Sequence, residues 1–378
     1  MANPMVRLQA EGVSPWLDNL RRDMFSTGLL ERRIKEDGIR GQTSNPTIFQ
    51  KAISQGSLYD QQILELARSG KQAEEIVWEL MIQDVRSACD VFLPLHQSSE
   101  GQDGYVSLEL NPTMAHDTAG SLAQAAQLVP RVDRPNLMLK VPATSEGLPV
   151  ITELLSQGIH VNVTLLFSVQ RYEQVLDAWM TGLEKRLEKG ESVRGLHSVA
   201  SFFVSRVDTE AEKRMDARVK ANPALAAPCD ALRGRIAVAN ARAAYELFLQ
   251  KVATSRWQRL QAQGASVQRP LWASTSTKNP AYRDTIYVDD LIGPDCINTM
   301  PDETIEAFRD HGTVCRTLTP ENLADARKVL EDFASLGFSL EDMTNNTLVR
   351  EGVEKFAVSY QDLVEAVRVQ REKLLAGS

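Results

Sequence analysis

The feature that most constrains this chain is the regular alternation of short apolar segments with segments of helical periodicity. The segment at 161–167 (VNVTLLF), for example, is almost continuously apolar. Such runs are typical of parallel strands that are covered on both faces. Eight segments are predicted to be strands: 13–18, 38–42, 105–110, 136–141, 159–166, 199–204, 270–273 and 296–299.

Amphipathic helical patterns fill the intervals between these strands. After Ser168, apolar side chains recur at helical spacing as far as Leu187, with Ser168 placed to cap the helix and Gly190 to close it. Eight strands that alternate with helices predict an α/β fold of the (β/α)8 barrel type. A doubly wound sheet is the alternative, and it is disfavoured because no GxGxxG sequence follows the first predicted strand.

The length of the chain is compatible with one large barrel. Its 378 residues would allow two domains, but α/β barrels use this much chain as a single domain, so we expect one domain over 1–378. Segment 208–268 is longer than a barrel repeat needs and is rich in Ala, Arg and Glu. We expect it to hold a helical expansion as well as a barrel helix.

Composition excludes several classes of partner. The net charge of −8 argues against nucleic acid, although a phosphorylated small molecule needs only two or three local positive groups. The four cysteines form no CxxC pair and no cysteine–histidine cluster, which indicates reduced thiols in a cytoplasmic protein and no zinc site. No apolar run is long enough for a membrane span, and the N-terminal segment lacks the apolar core of a signal peptide.

Polar side chains recur at the carboxyl ends of the predicted strands. In a barrel enzyme, catalytic groups project from this end of several strands, so these side chains are expected to meet at one mouth. The candidates are Asp18, Thr43, Asn45, Glu109, Lys140, Asn162, Thr164, Ser201, Arg206 and the segment from Ser274 to Lys278. Two acids, a lysine and several hydrogen-bonding groups fit carbonyl chemistry through an imine, with Arg206 and Lys278 available for phosphate.

Lys140 is the most informative of these residues, because it interrupts the apolar sequence LMLKV at 137–141. A buried ammonium must find a partner or lose its proton, and a neutral amine is the nucleophile that Schiff-base chemistry requires. The alternative is an ordinary lysine whose stem packs against the strand while its head reaches water.

The other candidates have structural alternatives. Asp18 could cap a helix that begins at Asn19, and Asn45 before Pro46 could form a plain turn. Asn162 and Thr164 share one strand face and could be a buried hydrogen-bonded pair. These alternatives would require most strands of one barrel to carry an unrelated polar group at the same level.

Several segments resemble the transaldolase family. They are 43–49 (TSNPTIF), 140–147 (KVPATSEG), 158–168 (GIHVNVTLLFS), 272–275 (WAST) and 352–356 (GVEKF), together with Phe203 and Arg206. The third segment is the most specific, and the resemblance covers essentially the whole chain in order. The length and the 208–268 expansion are more similar to the longer bacterial subfamily.

The resemblance implies a homo-oligomeric or monomeric cytoplasmic barrel enzyme of the non-oxidative pentose phosphate pathway that needs no metal or organic cofactor. Members transfer a dihydroxyacetone unit from sedoheptulose 7-phosphate to glyceraldehyde 3-phosphate, giving erythrose 4-phosphate and fructose 6-phosphate. Lys140 matches the Schiff-base lysine and Asp18 the acid/base. Glu109 and Thr164 match the pair that positions water for imine formation and hydrolysis.

The resemblance also implies the residues that bind substrate. Asn45 and Asn162 match groups that hold substrate hydroxyls, Ser201 lies near the substrate, and Arg206 matches a phosphate ligand. Thr43, in the 43–49 segment, is also expected to bind substrate. Lys278 occupies roughly the place of a second phosphate ligand, and either Ser274 or Ser276 is its neighbour.

Two alternative functions stay open at this point. One is a fructose 6-phosphate aldolase-like enzyme that releases free dihydroxyacetone. Those relatives usually have glutamine and tyrosine where this chain has Glu109 and Phe203. The other is a catalytically silent barrel that binds a sugar phosphate, which would be expected to have lost Lys140 or Asp18.

Overall fold

The chain folds into a closed barrel of eight parallel strands, and its computed structural model describes residues 3–54 and 56–377. The strands are β1 (Val13–Asp18), β2 (Gly41–Thr43), β3 (Tyr105–Glu109), β4 (Leu137–Pro142), β5 (Val161–Leu166), β6 (Ser198–Phe203), β7 (Arg269–Ala273) and β8 (Cys296–Met300). They pair in chain order, and β1 closes the barrel on β8. The predicted (β/α)8 fold is therefore confirmed, and an open doubly wound sheet is excluded.

Helices surround the barrel and cover its ends. In the first half of the chain they are α1 (Pro4–Arg7), α2 (Asp23–Ser26), α3 (Leu29–Glu36), α4 (Pro46–Ser54), α5 (Asp60–Arg68), α6 (Ala73–Ser98), α7 (Thr118–Val132), α8 (Gly147–Ser156) and α9 (Val169–Glu188). In the second half they are α10 (Ser205–Ala221), α11 (Ala226–Asp230), α12 (Ile236–Val252), α13 (Ser255–Ala262), α14 (Ile286–Asp289), α15 (Asp302–His311), α16 (Pro320–Ser335) and α17 (Leu348–Ala376). Segment 208–268 thus contains most of α10 and all of α11, α12 and α13.

All eight predicted strands are present, with small shifts at their ends. The largest shift is in β2, which was predicted to begin at Gly38 and begins at Gly41. Gly38 has a left-handed φ of 66°, so the chain is still turning there. At Gly41 a side chain has no room, because a Cβ atom would lie 2.3 Å from the indole ring of Trp16.

The signals at the ends of α9 act as predicted. The Ser168 hydroxyl accepts a hydrogen bond from the backbone N–H of Arg171 at 3.2 Å and so caps the helix. The helix ends at Glu188, and Gly190 follows with a left-handed φ of 77°. The buried Trp179 of α9 packs against Trp257 of α13, with ring centroids 4.8 Å apart, a pair worth about 1 kcal/mol beyond its buried area.

Strand register brings the predicted polar residues side by side. Lys140 of β4 lies opposite Glu109 of β3 on one side and Asn162 of β5 on the other. In the same way, Asp18 of β1 lies opposite Thr43 of β2. Because equivalent positions of parallel strands point the same way, these side chains converge on one end of the barrel.

In the described ranges, 3–54 and 56–377, no helix is both long enough and apolar enough to cross a bilayer.

Candidate active site

The carboxyl ends of the strands surround an open cavity with a volume of about 380 Å³. Most of the predicted site residues line it: Asp18, Thr43, Asn45, Lys140, Thr164, Ser201, Arg206 and Lys278. Glu109 and Asn162 lie behind its wall and contact the residues that face it. The strand-end residues thus converge on one cavity.

Lys140 is buried at the base of this cavity, with 4% of its surface exposed. Its Nζ atom donates hydrogen bonds to the backbone carbonyl of Ser44 at 2.9 Å and to Oε2 of Glu109 at 3.2 Å. The side chain therefore does not reach bulk water past the strand, which excludes the alternative of a snorkelling surface lysine.

Glu109 is the charge partner of Lys140, and only 7% of its surface is exposed. Burial raises the pKa of this carboxyl, and the adjacent Lys140 opposes that shift without cancelling it. A carboxylate with a raised pKa is a better proton acceptor. Glu109 is therefore suited to take a proton from Lys140 and to return one during the reaction.

Asp18 lies across the cavity at the end of β1 and is half-buried. Its Oδ1 atom accepts a hydrogen bond from the Thr43 hydroxyl at 2.7 Å, and Thr43 in turn contacts the Thr299 hydroxyl at 2.7 Å. Burial raises the pKa of Asp18, while Lys140 and Thr43 lower it. The next helix begins at Asp23, so Asp18 is not the cap of a helix beginning at Asn19.

Thr164 brings an unsatisfied hydroxyl to the cavity. Its Oγ1 atom is buried, and no residue in the described part of the chain is its hydrogen-bond partner. Leaving a buried hydroxyl unpaired costs about 1–3 kcal/mol. A buried unpaired group of this kind is expected to bind a water molecule or a substrate atom.

Asn162 and Ser201 form a hydrogen-bonded unit beneath the cavity. The Asn162 carboxamide donates to the Ser107 hydroxyl at 3.0 Å and accepts from the Ser201 hydroxyl at 2.7 Å. Ser201 faces the cavity, whereas Asn162 is fully buried behind it. Asn45 faces the cavity as well, and its Oδ1 atom accepts a hydrogen bond from Ile48 at the start of α4.

Positive side chains gather at one side of the cavity. Arg206 stacks over the rings of Phe203 and Phe356, with its guanidinium carbon 5.2 and 5.8 Å from their centroids. Burial lowers the pKa of Arg206, although Asp18 and Glu109 oppose this shift. Lys278 is exposed at the rim and donates a hydrogen bond to the Ser276 hydroxyl.

The structure resolves which serine is the neighbour of Lys278. Ser276 contacts it directly, whereas the Ser274 hydroxyl lies 3.0 Å from that of Ser205. Ser274 has a left-handed φ of 55° just after β7, which turns its side chain toward α10.

Sequence reasoning missed two further cations in this group, Lys51 of α4 and Lys355 of α17. The positive charge of Arg206 is the main cause that lowers the pKa of Lys355, followed by burial and by Lys278 and Lys51. Lys355 is thus close enough to the other three cations to be repelled by them, which creates a site suited to a phosphate dianion. The position of Lys355 within the 352–356 segment was the only sequence signal for its place at the cavity.

In the part of the chain that the structure describes, no group of three or more His, Cys, Asp or Glu side chains is placed to hold a metal ion.

A parallel barrel with a buried lysine, a partner carboxylate and a second acid at its carboxyl end defines the imine-forming class of aldolase-type enzymes. The model of the family described as transaldolase/fructose-6-phosphate aldolase matches residues 15–367. The chain belongs to this family.

Curated relatives resemble the chain over nearly its whole length. A transaldolase of Parafrankia sp. is 48% identical over 371 residues, which cover 98% of each chain. A transaldolase of Acidothermus cellulolyticus is 47% identical over 378 residues, covering 99% of this chain and all of the relative. A transaldolase of Mycobacterium tuberculosis is 47% identical over 368 residues, which cover 97% of each chain.

Proposed function

We propose that this protein is a cytoplasmic transaldolase. It moves a dihydroxyacetone unit from sedoheptulose 7-phosphate to glyceraldehyde 3-phosphate, giving erythrose 4-phosphate and fructose 6-phosphate, by way of an imine on Lys140. The observation that carries the proposal is the buried Nζ of Lys140, 3.2 Å from the Glu109 carboxylate at the base of a cavity that Asp18 and Thr164 also line. Similarity to transaldolases over nearly the whole chain supports the same reaction.

Imine formation begins with proton transfer from Lys140 to Glu109, which leaves a neutral amine. The amine attacks the C2 carbonyl of the ketose, and one of its protons moves to the carbonyl oxygen. The C2–O bond then breaks, and the oxygen leaves as water with a second proton from Glu109. The unpaired hydroxyl of Thr164 can hold this water beside Glu109.

Carbon–carbon cleavage then uses Asp18. The iminium withdraws electrons from C3, the C4 hydroxyl proton passes to the Asp18 carboxylate, and the C3–C4 bond breaks. The aldose phosphate departs while a three-carbon enamine remains on Lys140. Because burial raises the pKa of Asp18, this carboxyl can hold the proton until the acceptor aldehyde needs it.

The remaining side chains hold the substrate. Ser201, Thr43 and the amide group of Asn45 face the cavity, where they can bind sugar hydroxyls. Asn162 orients Ser201 through the hydrogen bond at 2.7 Å. For the phosphate, we assign Arg206 and Lys278 together with the two cations that sequence reasoning missed, so that remote binding energy orients the reacting carbons.

Transfer rather than release of dihydroxyacetone is favoured by the side chain of Phe203. It lines the cavity under Arg206 with an apolar ring that offers no hydroxyl to a hydrolytic water. The enamine is then protected from water until an aldehyde arrives.

A product assay tests this function. The protein is incubated with fructose 6-phosphate, with and without erythrose 4-phosphate, and the products are measured by mass spectrometry. We expect sedoheptulose 7-phosphate and glyceraldehyde 3-phosphate only with the acceptor, and little free dihydroxyacetone without it. Lys140→Met should abolish the reaction, whereas the exposed Lys328→Met on α16 should not. Equal release of dihydroxyacetone in both incubations would instead identify an aldolase.

A further inference from the structure

The backbone of β5 is strained next to Thr164. Leu165 has a left-handed φ of 54°, a conformation that costs an L-residue with a bulky side chain about 1–3 kcal/mol. At the same point the pairing of β5 with β6 shifts register between Val163 and Leu166, which marks a bulge. Strain of this kind persists only where the surrounding structure enforces it, and it concentrates at functional sites.

The bulge acts on the direction of the Thr164 side chain. A bulge re-aims the side chains that precede and follow it. Here Thr164, which lines the cavity and carries the unpaired buried hydroxyl, directly precedes the strained Leu165, whose side chain is almost completely buried. The geometry of Thr164 therefore depends on how Leu165 is held.

Leu165 packs against Gly352 of the C-terminal helix α17. A Cβ atom at Gly352 would lie 2.9 Å from Cδ2 of Leu165, 3.6 Å from the ring of Phe167 and 3.7 Å from Nη1 of Arg206, and the Leu165 side chain is too deeply buried to move aside freely. Gly352 is therefore the point of close approach between α17 and the bulge. Lys355 and Phe356, three and four residues later, lie on the same helix face and line the cavity.

We propose that Gly352 and Leu165 are positioning residues for imine formation and hydrolysis. Close packing of α17 at Gly352 locks the bulge, and the bulge holds the Thr164 hydroxyl where it retains the reacting water beside Glu109. This inference rests on the proposed transaldolase function, since it assigns a cause to the placement of that water.

Exchange of the C2 oxygen of the ketose with solvent measures imine formation and hydrolysis directly. Imine formation expels the C2 oxygen of fructose 6-phosphate as water, and hydrolysis restores it from solvent. Incubation in ¹⁸O-water without an acceptor therefore labels C2 once per cycle. Gly352→Ala should slow this exchange by about 10- to 100-fold while the KM for fructose 6-phosphate stays within about twofold, because a misplacement near 1 Å acts on this scale.

A matched glycine controls for simple crowding. Gly182 of α9 is also buried, and a Cβ atom there would lie 2.8 Å from Leu155 and from the Thr152 carbonyl, away from the cavity. Gly182→Ala should exchange oxygen at the wild-type rate even if its melting temperature falls. Leu165→Ala removes the atom that Gly352→Ala would strike, so the two changes should be non-additive when combined.

Each outcome decides the inference. Wild-type exchange in Gly352→Ala, or additive effects in the double variant, would overturn it and leave the proposed function standing. If Gly352→Ala does not fold, Leu165→Ala alone must show slowed exchange with unchanged KM, and wild-type exchange there would overturn the inference. Absence of exchange in the wild-type protein would overturn the proposed function itself.

Discussion

Replacement of Glu109 by glutamine is the most informative single change at the site. The Glu109 carboxylate lies 3.2 Å from Lys140 Nζ, and both side chains are almost fully buried. At that distance and an effective dielectric constant of about 20, the attraction is about 5 kcal/mol before desolvation is subtracted. Glutamine keeps the shape and a hydrogen-bond acceptor but removes the charge and the proton-transfer group.

Two results are expected from Glu109→Gln. The free energy of unfolding should fall by about 3 kcal/mol, because a buried ion pair loses one partner. Imine formation, measured by rapid quench with borohydride, should slow by about 10²- to 10⁴-fold, because the group that moves the protons is gone. Urea unfolding gives the first quantity and adduct mass against time gives the second.

Glu210→Gln is a matched control. Glu210 is 6% exposed and forms ion pairs with Lys213 and Arg214 on α10, outside the cavity lining. It should lose stability without any change in imine formation. If Glu109→Gln forms the imine at the wild-type rate, the assignment of Glu109 as the proton-transfer group is wrong.

Three further predictions concern other parts of the molecule. Burial raises the pKa of Asp208 to about 6, so the folded state holds a proton that the unfolded chain releases near pH 4. Between these pH values the free energy of unfolding should fall by up to about 3 kcal/mol as pH rises. Urea unfolding of Asp208→Asn should show no such fall. Equal pH dependence in the two proteins would contradict this prediction. Lys355→Met should raise the KM for fructose 6-phosphate about fivefold with little effect on kcat, because an exposed charge pair contributes about 1 kcal/mol. Steady-state assays measure both constants, and an unchanged KM would mean that Lys355 does not bind the phosphate. Thr164→Val removes a buried unpaired hydroxyl, so thermal melts should show a protein that is more stable by about 1 kcal/mol. The same variant should exchange oxygen more slowly. A destabilised variant would mean that the hydroxyl is already paired.

The barrel was predictable because it depends on a pattern that is local in the chain, the alternation of apolar strand segments with amphipathic helices. The VNVTLLF run, for example, can be buried on both faces only in a covered parallel sheet, and it forms β5. The polar residues at strand ends were predictable for a related reason, since one topology places them at one mouth. Strand bounds were less predictable at β2, where the turn at Gly38 shortens the strand.

Features that depend on distant parts of the chain were not predictable. The approach of α17 to the cavity places Lys355 beside Arg206, and no periodicity in either segment encodes that contact. The left-handed Leu165 is likewise invisible in the sequence, because leucine disfavours that conformation and adopts it here only within the bulge of β5 and its packing against distant residues. Nor could the sequence show that Asn162 lies behind Ser201 rather than in the cavity.

The central claim is that the buried amine of Lys140 forms a covalent imine with a ketose phosphate. Borohydride reduction in the presence of fructose 6-phosphate, followed by peptide mass mapping, tests it most directly. We expect a single adduct on Lys140 that carries the reduced three-carbon or six-carbon unit. Full turnover with an unmodified Lys140, or an adduct on another lysine, would contradict the account.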